Sequence, residues 1–175
     1  MKEKSATGTV VPGRAPDANS ETCKAAGVPL MVHENTRFLK PVRRAQEIIA
    51  TNALGKINWG RVAFRTGHNI YGKQPYLAHE DHFVILDLGV HMLDVARYLF
   101  GDATRLYCQS QSVKPGIRGE DLATIMLQHE SGVTSVVECS YASPIDPDPF
   151  PELTLQIEGT QGSLRLDPNY RLSVH

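Results

Sequence analysis

What the sequence has little of narrows the field first. Three cysteines in 175 residues, Cys23, Cys108 and Cys139, are too few and too scattered for a disulfide framework or a C-x-x-C zinc knuckle, so buried free thiols are expected. The apolar runs fall far short of the ~20 residues that span a bilayer, and residues 1–20 lack the apolar segment of a secretory signal. Neither sign of charge is in excess: 18 Lys and Arg stand against 19 Asp and Glu, for a net charge of -1. No basic field therefore draws in nucleic acid or an anionic membrane. A cytoplasmic protein is expected, with neither nucleic acid nor membrane as partner. Also missing is a G-x-G-x-x-G turn at the start of a helix, the one arrangement that lets backbone approach a pyrophosphate closely. Histidine is present, and His79 and His82 flank Glu80 and Asp81. They have neither the i, i+4 spacing nor the converging cysteines of a ligand set, so a solvated polar loop and no metal are expected.

The composition that remains, 41% hydrophobic and 21% charged, is that of a globular chain with room for one sizeable core. Residues 1–19 have no periodicity and read as a poorly ordered lead. Ser20 is placed to cap a short helix that Gly27 would stop, and "VPLMVH" after it reads as a buried strand. A helix is expected from about Pro41, with Val42, Ala45, Ile48 and Ile49 as its apolar stripe and Gly55 as its left-handed cap. "KINWGRVAFRT" alternates like a strand with one covered face, and "GHNIYGKQPYLAHEDHF" is a loop long enough to be functional.

From Val84 the period becomes helical, with Leu88, His91, Met92, Val95 and Leu99 along one face and Gly101-Asp102 at the end. Strands follow: "TRLYCQSQSV", "DLATIMLQHE", "VTSVVECSY", "LTLQIEG" and "GSLRLD", with the proline-rich "SPIDPDPFP" as an excursion outside any central strand. The fold class is α+β: an open, largely antiparallel β-sheet with helices packed on one face. Thr124, Met126, Val136 and Tyr141 are expected on the other face, as a partner surface.

Within this frame, "VILDLGVHMLDVARYLFGD" sets Asp87 and His91 four residues apart on one helix face, so the two can address one small molecule together. An aspartate near a helix start favours its ionised form, and a histidine serves as a base near neutrality. The alternative is that Asp87 caps the helix and His91 is a satisfied core histidine.

Three stretches carry a resemblance. "GVPLMVHENTRFLKPVRRAQEIIATNALGKI", "DLGVHMLDVARYLFGD" and "IEGTQGSLRLD" resemble, in order, the domain junction, the D-x-G-x-H-x-x-D helix and the G-T-x-G-x-L hairpin of the Gfo/Idh/MocA (glucose–fructose oxidoreductase / inositol dehydrogenase) family. That family comprises two-domain, NAD- or NADP-dependent dehydrogenases of sugars and cyclitols. Its C-terminal α+β domain binds substrate and pairs with other copies through the open sheet face. The resemblance implies that Asp87 and His91 descend from catalytic positions, and with no glycine-rich nucleotide turn in the sequence they are expected to be a relict site in this chain. It further implies that Asn35, Arg37, Tyr76 and Asp94 contact substrate. It divides the chain into residues 1–33, a disordered lead plus a remnant of the last Rossmann helix and strand, and residues 34–175, the C-terminal-like domain.

The departures bear on activity. The family's E-K-P lysine would fall near Glu3-Lys4-Ser5, where Ser replaces Pro and a ragged terminus is the better reading. Without the nucleotide turn the chain is expected to bind no cofactor alone and not to act alone as an oxidoreductase. The rival readings are a stand-alone polyol-binding or interaction module, one half of a dehydrogenase assembled in trans, and a metal-dependent hydrolase using His79, His82 and His91. A homodimer through the sheet face and a small polyol or sugar are the expected partners.

Overall fold

From residue 103 onward apolar and polar side chains alternate, and the molecule turns that period into a sheet. The computed structural model describes residues 18–31 and 34–175. Its strands are β1 (Ile57–Arg65), β2 (Ala103–Gln111), β3 (Leu122–His129), β4 (Thr134–Ser140), β5 (Thr154–Gly159), β6 (Ser163–Asp167) and β7 (Arg171–Val174). They lie in the order β2-β3-β4-β1-β5-β6-β7. β1 runs parallel to β4, and every other neighbouring pair is antiparallel. A parallel pair needs a crossover, and here the segment from residue 66 through the third helix and back along β2 and β3 supplies it. The fold is therefore the expected α+β class with an open, largely antiparallel sheet.

Register sorts the two faces. Ile125, Val137, Val62, Leu155 and Leu166 lie in one row across the strands, all nearly inaccessible to solvent. Against this row packs α3 (Val90–Phe100), through Met92, Val95, Ala96, Leu99 and Phe100, and α2 (Lys40–Ala50) packs in turn on α3 with Val42 and Ala45. Each such aliphatic side chain removed from water contributes about 1.5–3 kcal/mol before chain entropy is subtracted. Phe100 sits where β1 has Gly60: a Cβ there would lie 2.2 Å from the ring. The strand leaves out a side chain so that the helix can approach.

Two terminations differ from expectation. α2 ends at Ala50, and the first left-handed residue is Asn52 (φ 59), whose short polar side chain tolerates that region. Gly55 (φ +68) makes a second reversal into β1 rather than capping the helix. Between β1 and α3 the expected loop contains two 3-10 turns, Ile70–Gly72 and Pro75–His79, and helical structure resumes as a π-helical turn over Ile85–Gly89. α3 closes at Gly101 (φ 90), as expected. Below it His129 is buried and satisfied: its Nδ1–H donates to the Gly101 carbonyl at 2.7 Å, and its Nε2 accepts from the Ser135 hydroxyl at 2.8 Å.

No helix of residues 35–175 covers the opposite face. Tyr107, Met126, Val136 and Arg61 form a row across it, with Thr124 in the next row. Tyr141 was expected there too, but it is buried at 4% exposure on the helix side. It continues the phase of Val137 and Cys139, not that of Val136.

A boundary follows Glu34. Before it, helix α1 spans Ala18–Ala26, so Ser20 lies inside the first turn rather than ahead of it. Gly27 (φ +66) ends it, with Val28 N–H donating to the Cys23 carbonyl. Val28–Met31, expected as a buried strand, form none, and Val28, Leu30 and Met31 are each more than half exposed. An extended run becomes a strand only when a neighbour takes up its backbone groups, and this segment is no member of the sheet. Lys4 lies outside the described residues.

Candidate active site

The site begins with a local irregularity. The π-helical turn over Ile85–Gly89 puts one extra residue into the start of the helix, and such bulges recur where a side chain must be re-aimed. Glu120 holds the turn in place. Its carbonyl accepts from Val84 N–H at 3.0 Å, and its carboxylate accepts from Ile85 N–H at 3.2 Å. The adjoining Gly119 leaves room for the segment before the turn, since a Cβ there would lie 2.6 Å from the Glu80 carbonyl oxygen.

Asp87 projects from this turn, half-buried, and His91 follows on the first turn of α3, also half-buried. Asp94 and Tyr98 continue the same half-exposed stripe, opposite the buried Met92, Val95 and Leu99. One Asp87 oxygen, Oδ2, accepts a hydrogen bond from the Tyr141 hydroxyl at 2.9 Å. The phenol stacks on Phe83 at 5.4 Å, with Phe64 edge-on. Burial, then the Asp87 charge and hydrogen bond, push the Tyr141 phenol far above the ordinary tyrosine value. Beyond Phe83 stands Tyr71, its phenol raised to about 12 by burial and by the charges of Asp121 and Asp87. The Tyr71 oxygen is buried with no hydrogen-bond partner.

Beside Asp87 opens a cavity of about 240 Å³ lined by Tyr76, Leu77, Glu80, His82, Phe83, Leu86 and Asp87. That is below the usual range of drug-sized sites and suits a small polar molecule. A larger hollow, about 1040 Å³, lies at the β6–β7 edge between Arg165, Arg171 and His175 and contains none of these side chains. The Asp87 cavity brings two carboxylates, Glu80 and Asp87, and the His82 imidazole against Leu77, Phe83 and Leu86, and His91 lies one turn along from Asp87, outside this lining.

Of the six residues expected to act together, Asp87, His91 and Asp94 lie along one face of the π-helical turn and α3, and Arg37 packs on that face through Asp94. Arg37, from the 3-10 turn Thr36–Phe38, grips Asp94 with both ends of its guanidinium, Nε–H donating at 2.6 Å, and lies over the Tyr98 ring. That fork draws the turn onto α3. Tyr76 lines the cavity with its hydroxyl donating to Gln74 at 2.7 Å. Asn35 opens the 3-10 turn through its carbonyl, which accepts from Phe38 N–H, and its side chain makes no capping bond. Tyr141, Glu120 and Phe83 were not expected in the site. Among the described residues no group of three or more His, Cys, Asp or Glu side chains converges to hold a metal ion, and no helix is long and apolar enough to cross a membrane.

The chain is similar to known proteins. Over 153 residues, 87% of its length, the chain is 46% identical to the D-apiose dehydrogenase of Rhizobium rhizogenes. Over the same length it is 49% identical to that of Paraburkholderia graminis. It spans only 44% and 41% of those relatives. A solved oxidoreductase from Agrobacterium radiobacter, in complex with NAD+, L-tartaric acid and magnesium, is 46% identical and superposes with a TM-score of 0.83 over 88% of this chain and 45% of its own. The WlbA dehydrogenase of Bordetella pertussis, at 19% identity and a TM-score of 0.74, shares the fold, covering 87% of this chain and 48% of its own. The family model for the GFO/IDH/MocA C-terminal domain matches residues 42–165, which takes in β1, the π-helical turn, α3 and the strands through the first part of β6. The chain belongs to the GFO/IDH/MocA C-terminal domain family.

Proposed function

We propose that this chain is the substrate-binding and oligomerisation half of a dehydrogenase of small sugars or polyols, of the size and polarity of D-apiose. On this reading it turns over substrate only in company with a nucleotide-binding half, in the same protein or in trans. The observation that carries the reading is Asp87, held by Tyr141 and lining the 240 Å³ cavity, with His91 one turn along the same helix face. Two D-apiose dehydrogenases at 46% and 49% identity support the substrate class.

In the proposed reaction a carbinol of the substrate lies against His91, which takes the hydroxyl proton as the carbon becomes a carbonyl. Asp87 orients the hydroxyls on either side, because a carboxylate is an acceptor only and imposes direction on every donor around it. A bound NAD or NADP would supply the hydride acceptor. The sequence has no glycine-rich turn to hold that dinucleotide, so the chain's own residues supply the proton transfer and the binding of sugar.

Exposed apolar side chains on the elements that frame the site favour a covering partner. Phe38, Tyr76, Leu86 and Val90 are 65%, 58%, 63% and 43% exposed, an apolar rim that a second domain would dry. The test is to assay D-apiose oxidation with the chain alone and with the chain fused behind the nucleotide-binding half of the Rhizobium rhizogenes relative. Turnover by the fusion alone supports the reading. A chain that binds D-apiose but gains no turnover from the fusion is a stand-alone binding module.

A further inference from the structure

The geometry points to Tyr141 as a positioning residue that fixes Asp87 for the reaction, an inference that rests on the dehydrogenase reading above and adds to it a residue 54 positions away in sequence. Three observations on separate elements carry it. The hydroxyl donates to Asp87 Oδ2 at 2.9 Å, from a side chain only 4% exposed. The ring itself cannot swing away, because Phe83 stacks on one face and Phe64 meets its edge. Its backbone is held as well: Tyr141 N–H donates to the carbonyl of Asp121, which directly follows the Glu120 that braces the π-helical turn.

One end of the bond is thus anchored in the sheet and the other in the turn, through neighbouring residues of one loop. An aspartate side chain rotates about χ1 and χ2, and a bare carboxylate at a cavity mouth would sample several directions. A buried donor on one oxygen removes that freedom and leaves Oδ1 to face the substrate. The donor is also permanent, since the same burial and the Asp87 charge keep the phenol protonated across the working range of pH. Tyr141 acts through Asp87 and need not touch substrate, and its absence should appear in turnover more than in substrate affinity.

Tyr141→Phe keeps the ring, its stacking and its volume and deletes only the oxygen. In the fusion with the nucleotide-binding half, kcat for D-apiose should fall about 10- to 100-fold with KM within about three-fold, the size expected for one hydrogen bond to a charged group. Asp87→Asn should abolish turnover. If Asp87→Asn is inactive while Tyr141→Phe retains the parent kcat, the positioning role is wrong and the dehydrogenase reading stands. If both variants match the parent, or the parent fusion never turns over, the dehydrogenase reading itself fails and takes the inference with it. A second measurement needs no activity. In the chain labelled with 13C at the tyrosine Cζ, the Tyr141 signal should stay protonated up to pH 11 and move toward ordinary tyrosine behaviour in Asp87→Asn. An ordinary titration near pH 10 in the parent chain would show that the bond is not made.

Discussion

At the scale of single residues, side chains here are set by their opposite numbers across the sheet more than by their sequence neighbours. Glu138 shows this on the open face. Burial alone would raise its carboxyl, but hydrogen bonds and charge from Arg61 (2.7 and 3.1 Å) and Arg65 (3.2 Å) outweigh burial and hold it below the usual glutamate range. A carboxyl whose folded value is depressed adds stability above its unfolded value of 4.5, and that stability is lost as pH falls through the folded value. Denaturant melts between pH 7 and pH 3 should therefore show the parent losing more stability below about pH 4.5 than Glu138→Gln. A Glu138→Gln curve parallel to the parent's would mean that the two arginines do not act on that carboxyl. The residue scale also shows what helical and strand spacing encode. The pairing of Arg37 with Asp94 across 57 residues was not legible in the sequence, but the shared face of Asp87, His91 and Asp94 was, from helical spacing. Tyr141 was not, although the signal existed: strand period 2 puts it in phase with Val137 and Cys139, and it was grouped with Val136, which is out of phase.

At the scale of elements, α3 docked on β1 organises everything else. Phe100 fills the space that Gly60 leaves open, on the central strand of the sheet. Gly60→Ala should destabilise the fold by about 1–3 kcal/mol, because an added methyl in a close-packed contact must displace ring or backbone. Gly60→Ala combined with Phe100→Leu should recover part of that loss, as chemical denaturation would show, whereas a neutral Gly60→Ala would mean the helix does not sit so close. Most elements were readable from their period: α2, α3, β1 and the strands from β2 to β6 fall within a few residues of expectation. Those that were not have physical reasons. β7 is four residues long and follows two left-handed residues, Asn169 and Tyr170, so it carries too little alternation to register. The π-helical turn breaks no apolar pattern, because its irregularity is fixed from outside by Glu120. The parallel pairing of β1 with β4 depends on closure across more than seventy residues, which no local period encodes.

At the scale of the whole molecule, the sheet separates two surfaces of different make-up. The helix-covered side ends in the site, and the other side leaves Tyr107 and Met126 about half exposed around the Arg61–Glu138–Arg65 network. A seven-stranded sheet with an uncovered face fits the proposed pairing of two copies, face to face. Light scattering at micromolar concentration should give twice the mass of one chain, and Met126→Asp should shift it toward the monomer. A parent that stays monomeric at high concentration would contradict the pairing.

The central claim is that Asp87 and His91 serve a dehydrogenase whose other half binds the dinucleotide. The most direct measurement is NADH formation from D-apiose and NAD+ by the chain alone, by its fusion to the nucleotide-binding half of the Rhizobium rhizogenes relative, and by that fusion carrying Asp87→Asn. The account predicts no formation by the chain alone, steady formation by the fusion, and none once Asp87 is replaced. NADH formation by the chain alone, or undiminished formation by the Asp87→Asn fusion, would contradict it.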